Sequence, residues 1–266
     1  MKIVRNLWCA VLLATVVPVH AALLTNFTDQ WWVPFESGWG AAVFQQGDIL
    51  FIDIFVYDAN SNPVWFTSTA VFQGQLGAGD LLFTGDLIAS TGSYYGASVF
   101  TPGAVTRQKV GTLTFDALTS TTARLTYTVN GVTVVKTVTR QQWKNQDLSG
   151  TYYGGFVFNA SGCVTSGLNG PVNQLATLSI GQVGTTVTIF EANVSGGSCN
   201  YTGNYTQDGH VGTIQGTFAC TNGDNGSFTA SEIEVTKAGI DGQFVGQNQV
   251  CTKLEGQFGG VRTTLP

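Results

Sequence analysis

Charge is scarce in this chain. Of 266 residues only 11 are Lys or Arg and 16 are Asp or Glu, and the basic residues form no cluster. A surface that neutralises phosphates needs such a cluster, so nucleic acid and anionic lipid are excluded as partners. Histidine is nearly absent, with His20 and His210 the only two. Ser-His-Asp or Cys-His chemistry would therefore rest on His210, which sits beside the turn signal Gln207-Asp208-Gly209 and reads as a solvated turn residue. The sequence contains no C-x-x-C pair, no G-x-S-x-G elbow and no phosphate-binding glycine loop. No metal site and no cofactor is expected on those grounds. Helical periodicity is missing too: no window sustains apolar residues at i, i+3, i+4 and i+7.

Long apolar runs are also lacking. The run Leu7 to Val17 follows Lys2 and Arg5 and precedes Val19-His20-Ala21. That is the layout of a secretory signal peptide cleaved after Ala21, and it would carry Cys9 away with it. It falls short of the roughly 20 apolar residues a bilayer span needs, so no membrane span is expected after cleavage. The expected location is periplasmic or extracellular. Without Lys2 and Arg5, nine basic residues face sixteen acidic ones, a net charge of −7. The remaining 245 residues suffice for two ordinary domains.

Short alternating segments bounded by Gly, Asn and Asp recur every 8–12 residues or so, the pattern of an all-β sandwich or barrel. Strands are predicted near 38–46, 49–58, 63–73, 80–89, 107–117, 122–130 and 132–141. After the polar segment Lys144 to Ser149 they are predicted near 150–158, 174–181, 184–194, 199–206, 211–220, 226–237, 239–247 and 253–262. The fold class is all-β, with two antiparallel domains at 22–145 and 146–266, either up-and-down barrels or sandwiches. In the second half, Gly203 lies between Tyr201 and Tyr205, Gly242 and Gly246 flank Phe244, and Gly256 lies between Leu254 and Phe258. Glycines on the same face as large residues relieve crowding inside a small barrel; alternatively they mark bulges. The shared Gly-aromatic opening at Gly38-Trp39-Gly40 and Tyr153-Gly154-Gly155 is too slight to establish duplication.

The two halves differ in their special residues. Trp31, Trp32, Trp39, Trp65 and Trp143 all precede residue 144, whereas Cys163, Cys199, Cys220 and Cys251 all follow residue 160. Four cysteines in an exported chain imply two disulfides with three possible connectivities. A hairpin turning at Asp208-Gly209 favours Cys199 with Cys220, leaving Cys163 for Cys251.

Residues 31 to 66 read Trp-Trp-Val-Pro-Phe-Glu-Ser-Gly-Trp-Gly, then Gln46-Gly47-Asp48, then Tyr57-Asp58 and Pro63-Val64-Trp65. This segment resembles exported β-rich proteins of Gram-negative bacteria that have no assigned activity, so the resemblance implies a location and transfers no reaction. Asp53 departs from its pattern, which has a small or neutral residue there. A looser analogy of strand count and glycine-aromatic alternation is with the calycins, lipocalin- and avidin-like barrels that hold small ligands. Fold alone does not fix function.

The aromatic set is the most plausible functional surface, since such rings stack on sugars or enclose apolar ligands. Trp39, Trp65, Asp53 and Tyr57 are the candidate ligand-binding residues, although aromatic residues in β-proteins are more often core fillers, and that is the favoured reading of the set. Because neighbours on a strand face opposite sides, Trp31 and Trp32 cannot both be buried unless both sides are covered. Paired carboxylates could serve glycoside hydrolysis. Glu36 and Asp53 are candidates in the first half. In the second, Glu232 and Glu234 read as a solvated face opposite Ile233 and Val235. Lys136, on the apolar face of its strand, is the expected partner of Asp53. Asp58-x-Asn60-x-Asn62 and Asn222-x-Asp224-Asn225 look like calcium-loop fragments but lack the downstream glutamate, and turn chemistry accounts for both. The leading expectation is an exported, non-enzymatic protein that binds a glycan or small amphipathic molecule. A carboxylate-dependent hydrolase and an outer-membrane β-barrel are the alternatives.

Overall fold

The computed structural model describes residues 25–76 and 80–263; the expected signal segment lies outside them. Strands β1 (Asp29–Trp32), β2 (Gly40–Gln46), β3 (Ile49–Tyr57), β4 (Pro63–Leu76), β5 (Asp80–Thr91), β6 (Thr106–Ala117), β7 (Thr122–Val129) and β8 (Val132–Arg140) form a closed antiparallel barrel in chain order. Strands β9 (Gly150–Cys163), β10 (Gly170–Val183), β11 (Thr186–Asn193), β12 (Ser198–Asp208), β13 (Val211–Cys220), β14 (Asn225–Val235), β15 (Gly239–Asn248) and β16 (Cys251–Arg262) form a second, closed by β9 against β16. Both expected domains are thus up-and-down barrels, and closure removes the exposed strand edges a sandwich would leave. Among the described residues no helix is long and apolar enough to cross a membrane.

The first barrel has one strand more than its sequence pattern suggested. That strand, β1, is only four residues long and closes the barrel by pairing Trp31 with Arg140 and Trp32 with Thr139. Trp31 points inward and is fully buried, while Trp32 on the opposite face is half-buried. The interior is filled: Phe27, Trp31, Phe83 and Phe115 meet edge-to-face, with centroids 5.1–6.4 Å apart, among Leu50, Ile52, Ile54 and Leu125.

Period-2 alternation is clearest in β12, where Cys199, Tyr201, Gly203 and Tyr205 face inward and Asn200, Thr202, Asn204 and Thr206 face solvent. Glycine on the inner face lets the wall curve and the strands approach closely. A Cβ on Gly256 would lie 2.1 Å from the Val157 carbonyl oxygen and 2.5 Å from Phe158 Cα. A Cβ on Gly203 would lie 2.6 Å from Ile214. The sulfur framework joins Cys163 to Cys251 and Cys199 to Cys220, each pair directly opposed across its ladder.

At one end of each barrel the same set of side-chain contacts recurs. In the first barrel the Phe27 N–H donates to Gln45 Oε1 at 2.7 Å, the Gln45 N–H to Thr28 Oγ1 at 2.9 Å, and Gln45 Nε2 to the Gly47 carbonyl at 3.1 Å. In the second, the Leu148 N–H donates to Gln182 Oε1 at 2.9 Å, the Gln182 N–H to Ser149 Oγ at 3.1 Å, and Gln182 Nε2 to the Gly184 carbonyl at 3.2 Å. Trp31 Nε1 and the Tyr152 hydroxyl each donate to the carbonyl four residues earlier, at 3.0 and 2.9 Å. The last strand of each barrel then lays an arginine over that ring, Arg140 at 5.0 Å and Arg262 at 4.9 Å. The barrels therefore repeat each other structurally at these ends, where Phe27 and Leu148 act as buried plugs. The residue types differ enough (Trp for Tyr, Phe for Leu, Thr for Ser) that the repeat is not visible as sequence identity.

Candidate functional site: an aromatic cavity in the second barrel

The hollow of the molecule lies in the cysteine-bearing half. The second barrel encloses a cavity of about 600 Å³, within the range of small-molecule sites. Its upper wall carries Phe156, Phe158, Tyr201, Phe218, Phe228 and Phe244, and its floor includes Ile180, Ile214 and Ile240. Leu148 and Tyr152 close the end beneath. Both disulfides stand at the other end, where Cys199, Cys220 and Cys251 border the cavity beside the turns at Asn222–Asp224 and Asn248–Val250. Each bond ties two neighbouring strands at the rim, so the mouth is fixed by covalent links where turns alone would leave it loose.

Polar groups in the cavity are few. Glu191, on the inner face of β11 with Val187 and Ile189, is completely buried. One of its oxygens accepts from the Gln174 amide, and the other accepts from the Tyr201 hydroxyl at 2.6 Å. Burial, followed by the neighbouring Glu191 carboxylate, pushes the Tyr201 phenol well above its ordinary range, so it stays a hydrogen-bond donor. Asp224 at the mouth accepts from Asn248 Nδ2 at 2.8 Å through Oδ2, while its Oδ1 is buried without a partner. Glu191 and Gln174 escaped sequence reasoning, whereas Asp224 was read only as part of a turn, where its N–H does donate to Asn222 Oδ1 at 3.0 Å. The usable signal was the glycine-aromatic alternation, read there as relief of crowding inside a small barrel.

The four residues picked out in the first half are not gathered around a cavity. Leu50, Ile52 and Ile54 face into the filled core, which turns Asp53 and Phe55 outward with Tyr57. Trp65 pairs with Phe55 on the same outer face and is 55% exposed. Tyr57 donates its hydroxyl to the Gly38 carbonyl at 3.0 Å. Trp39 stands apart, packed against the core, its Nε1 donating to Glu36 Oε2 at 3.0 Å. The expected Asp53–Lys136 contact is replaced by Lys136 with Glu36 at 2.7 Å, because Asp53 lies on the outer wall and Lys136 on the inner face of β8. Lys136, and then Trp39, hold the Glu36 carboxyl below its usual range, while burial raises that of Asp53. Glu36 and Asp53 are thus not a facing pair. The calcium-like Asp58 segment is a turn in which Asp58 Oδ1 accepts the N–H groups of Asn60 and Asn62, both at 2.8 Å.

His210, Glu232 and Glu234 likewise depart from the solvated positions expected of them. The turn between β12 and β13 abuts the first barrel, and His210 Nδ1 lies 2.8 Å from Asp29 Oδ2 and Nε2 3.2 Å from Glu234 Oε1. Arg140, whose side chain is completely buried, reaches the same Asp29 oxygen at 3.3 Å. A bulge in β14 places Glu232 at φ +51°, where it accepts from Thr25 Oγ1 at 2.9 Å and Gln243 Nε2 at 3.1 Å. Ile233 between the two glutamates stays fully buried. The result is an ionic bridge between the barrels beside a small polar cleft of about 210 Å³.

Comparison with known proteins adds no assignment: no family model matches the chain, and neither does any curated protein.

Proposed function

We propose that this is a non-enzymatic binding protein whose second barrel holds a small, largely apolar molecule. One observation carries this reading: an aromatic cavity of about 600 Å³ with few polar groups, bordered by two disulfides. Apolar surface removed from water on entry supplies the driving force, and the polar groups at the rim fix orientation. A free sugar suits such walls poorly, since its hydroxyls need many more hydrogen-bond partners than Gln174, Tyr201 and the rim amides provide. Outward positions occupied by Asn and Thr, as in β12, weigh against a membrane-spanning barrel, whose alternation is the reverse. The two disulfides suit an oxidising, non-cytoplasmic compartment, in keeping with the export expected from the N-terminal sequence.

The test is titration with an environment-sensitive apolar fluorophore. Saturable binding is expected, and Ala160→Trp, which introduces a large ring beside the mouth, is expected to abolish it. Retention of full binding in that variant would place the fluorophore elsewhere and remove the support for this reading.

A glycan reading keeps one specific observation in its favour. Phe44, Phe51, Phe55 and Trp65 expose between 42% and 55% of their surface on the outer wall of the first barrel, around Asp53, whose Oδ1 has no partner. Exposed rings flanking a carboxylate form a stacking platform for sugar rings. Loss of glycan-array binding in Trp65→Ala, with fluorophore binding intact, would assign that function to the outer face.

A further inference from the structure

The electrostatics of the second-barrel cavity narrow the class of its ligand; this step rests on the reading that the cavity is a binding site. No lysine, arginine or histidine is among the described residues lining the cavity, and Asp224 is the single charged one. The second carboxylate, Glu191, is buried on the inner face of β11 and hydrogen-bonded by the lining residues Gln174 and Tyr201. Neither Asp224 nor Glu191 has an ion-pair partner among the described residues. Both lie at the mouth. Glu191 is cross-strand from Cys199, Cys199 from Cys220, and the Cys220 N–H donates to the Asp224 carbonyl at 2.7 Å. The negative charge therefore sits at the disulfide rim, above an aromatic middle and an aliphatic floor.

Aromatic rings reinforce that polarity, because ring faces carry negative potential and attract cations. Tyr201 lies at the centre of the group, 5.4 Å from both Phe218 and Phe228, the latter edge-to-face. Its hydroxyl hydrogen is committed to Glu191, leaving its oxygen and ring to meet a ligand. An anionic head group would meet two uncompensated carboxylates in a low-dielectric site. A cationic one would find in them the counter-charge that each lacks.

We propose that the cavity takes a lipophilic organic cation, an amine or quaternary ammonium on an apolar body. The body fills the aromatic and aliphatic interior, and the charged nitrogen lies at the rim between Asp224 and the Tyr201–Glu191 pair. A fatty acid or other apolar anion is the ligand this arrangement disfavours.

The experiment uses the full chain with its disulfides formed and three naphthalene probes of matched size, carrying trimethylammoniomethyl, hydroxymethyl or carboxymethyl groups. Calorimetric titration is expected to show the cation binding at least about tenfold tighter than the alcohol, equivalent to about 1.4 kcal/mol, and the anion weakest. Asp224→Asn is expected to remove most of that preference, read as the ratio of cation to alcohol affinity. Gln249→Lys, at an exposed position on the same rim, is expected to weaken the cation and strengthen the anion, and it keeps the test valid should Asp224→Asn fold poorly. Equal binding of all three probes, or tightest binding of the anion, overturns the assignment of ligand class while leaving the cavity a binding site. Binding of none of them overturns the cavity reading, and the ligand class with it.

Discussion

The ionic bridge between the barrels makes a sharp prediction about His210. Hydrogen bonding to Asp29 first, and to Glu234 second, raises the imidazole from 6.5 to about 9, against the opposing effects of burial and of the Arg140 charge. A rise of that size is worth about 3 kcal/mol at 1.36 kcal/mol per pH unit. With 30% of the side chain open to solvent, screening reduces the realised contribution to about 1–2 kcal/mol. Because the folded value lies above the unfolded one, the stabilisation is complete below about pH 6.5 and fades as pH rises through about 9. Glu234 behaves oppositely: His210 holds it below its usual range, so its share is present at neutral pH and lost on acidification. Asp29 does the same, since the hydrogen bonds and charges of His210 and Arg140 together outweigh the upward push of burial.

His210 is the only histidine among the described residues, so in a sample lacking residues 1–21 its Hε1 proton gives one isolated NMR signal to titrate. A midpoint near 9 is expected in the native protein, with a larger fall in Asp29→Asn than in Glu234→Gln. Urea unfolding between pH 6.5 and 9.5 should show a loss of stability that His210→Gln largely abolishes. A native midpoint near 6.5 would refute the bridge, since an imidazole held between two carboxylates cannot titrate as if free.

Three further outcomes follow from geometry. Gly256→Val forces a Cβ into the Val157 carbonyl and the Phe158 backbone, and should cost about 3 kcal/mol or prevent closure of the second barrel, as judged by urea unfolding. Removing Cys163–Cys251 should cost more than removing Cys199–Cys220, about 4.6 against 3.3 kcal/mol on chain-entropy grounds, because the spans are 88 and 21 residues; equal losses in the paired Cys→Ser variants would contradict this. Tyr152→Phe deletes the bond to the Leu148 carbonyl and the acceptor for Arg262 Nη2 at 2.6 Å, and should lower unfolding stability by about 1–2 kcal/mol.

Much of the fold was legible because the relevant signals are local. Turn residues such as Asn130-Gly131 and Asp208-Gly209 set hairpin registers, and the second of these placed Cys199 opposite Cys220. Gly203 and Gly256 on the large-residue face marked closed, strongly curved strands. The orientation of β3 was not legible in the same way. Ile49-Leu-Phe-Ile-Asp-Ile-Phe-Val-Tyr57 is apolar on both faces, so alternation alone could not say whether Asp53 faced the core. β1 escaped because four residues are too few to show a period. The bridge escaped because Asp29, Arg140, His210 and Glu234 are far apart in the chain and meet only when the barrels dock.

What the sequence determined by itself is therefore the near absence of basic charge and histidine, the two meanders, and the partition of tryptophan from cysteine. Each is a matter of composition or short-range pattern. Which barrel is hollow was decided only by tertiary structure. Both have aromatic interiors and the same contacts at one end, yet Trp31, Phe83 and Phe115 interlock over Phe27 in the first. In the second, glycines alternate with the rings along several strands and neighbouring strands close in against them, while the rings line the wall below the disulfide rim without meeting across the middle. Packing is a sum over residues distant in sequence, and that sum placed the cavity with the cysteines rather than with the tryptophans.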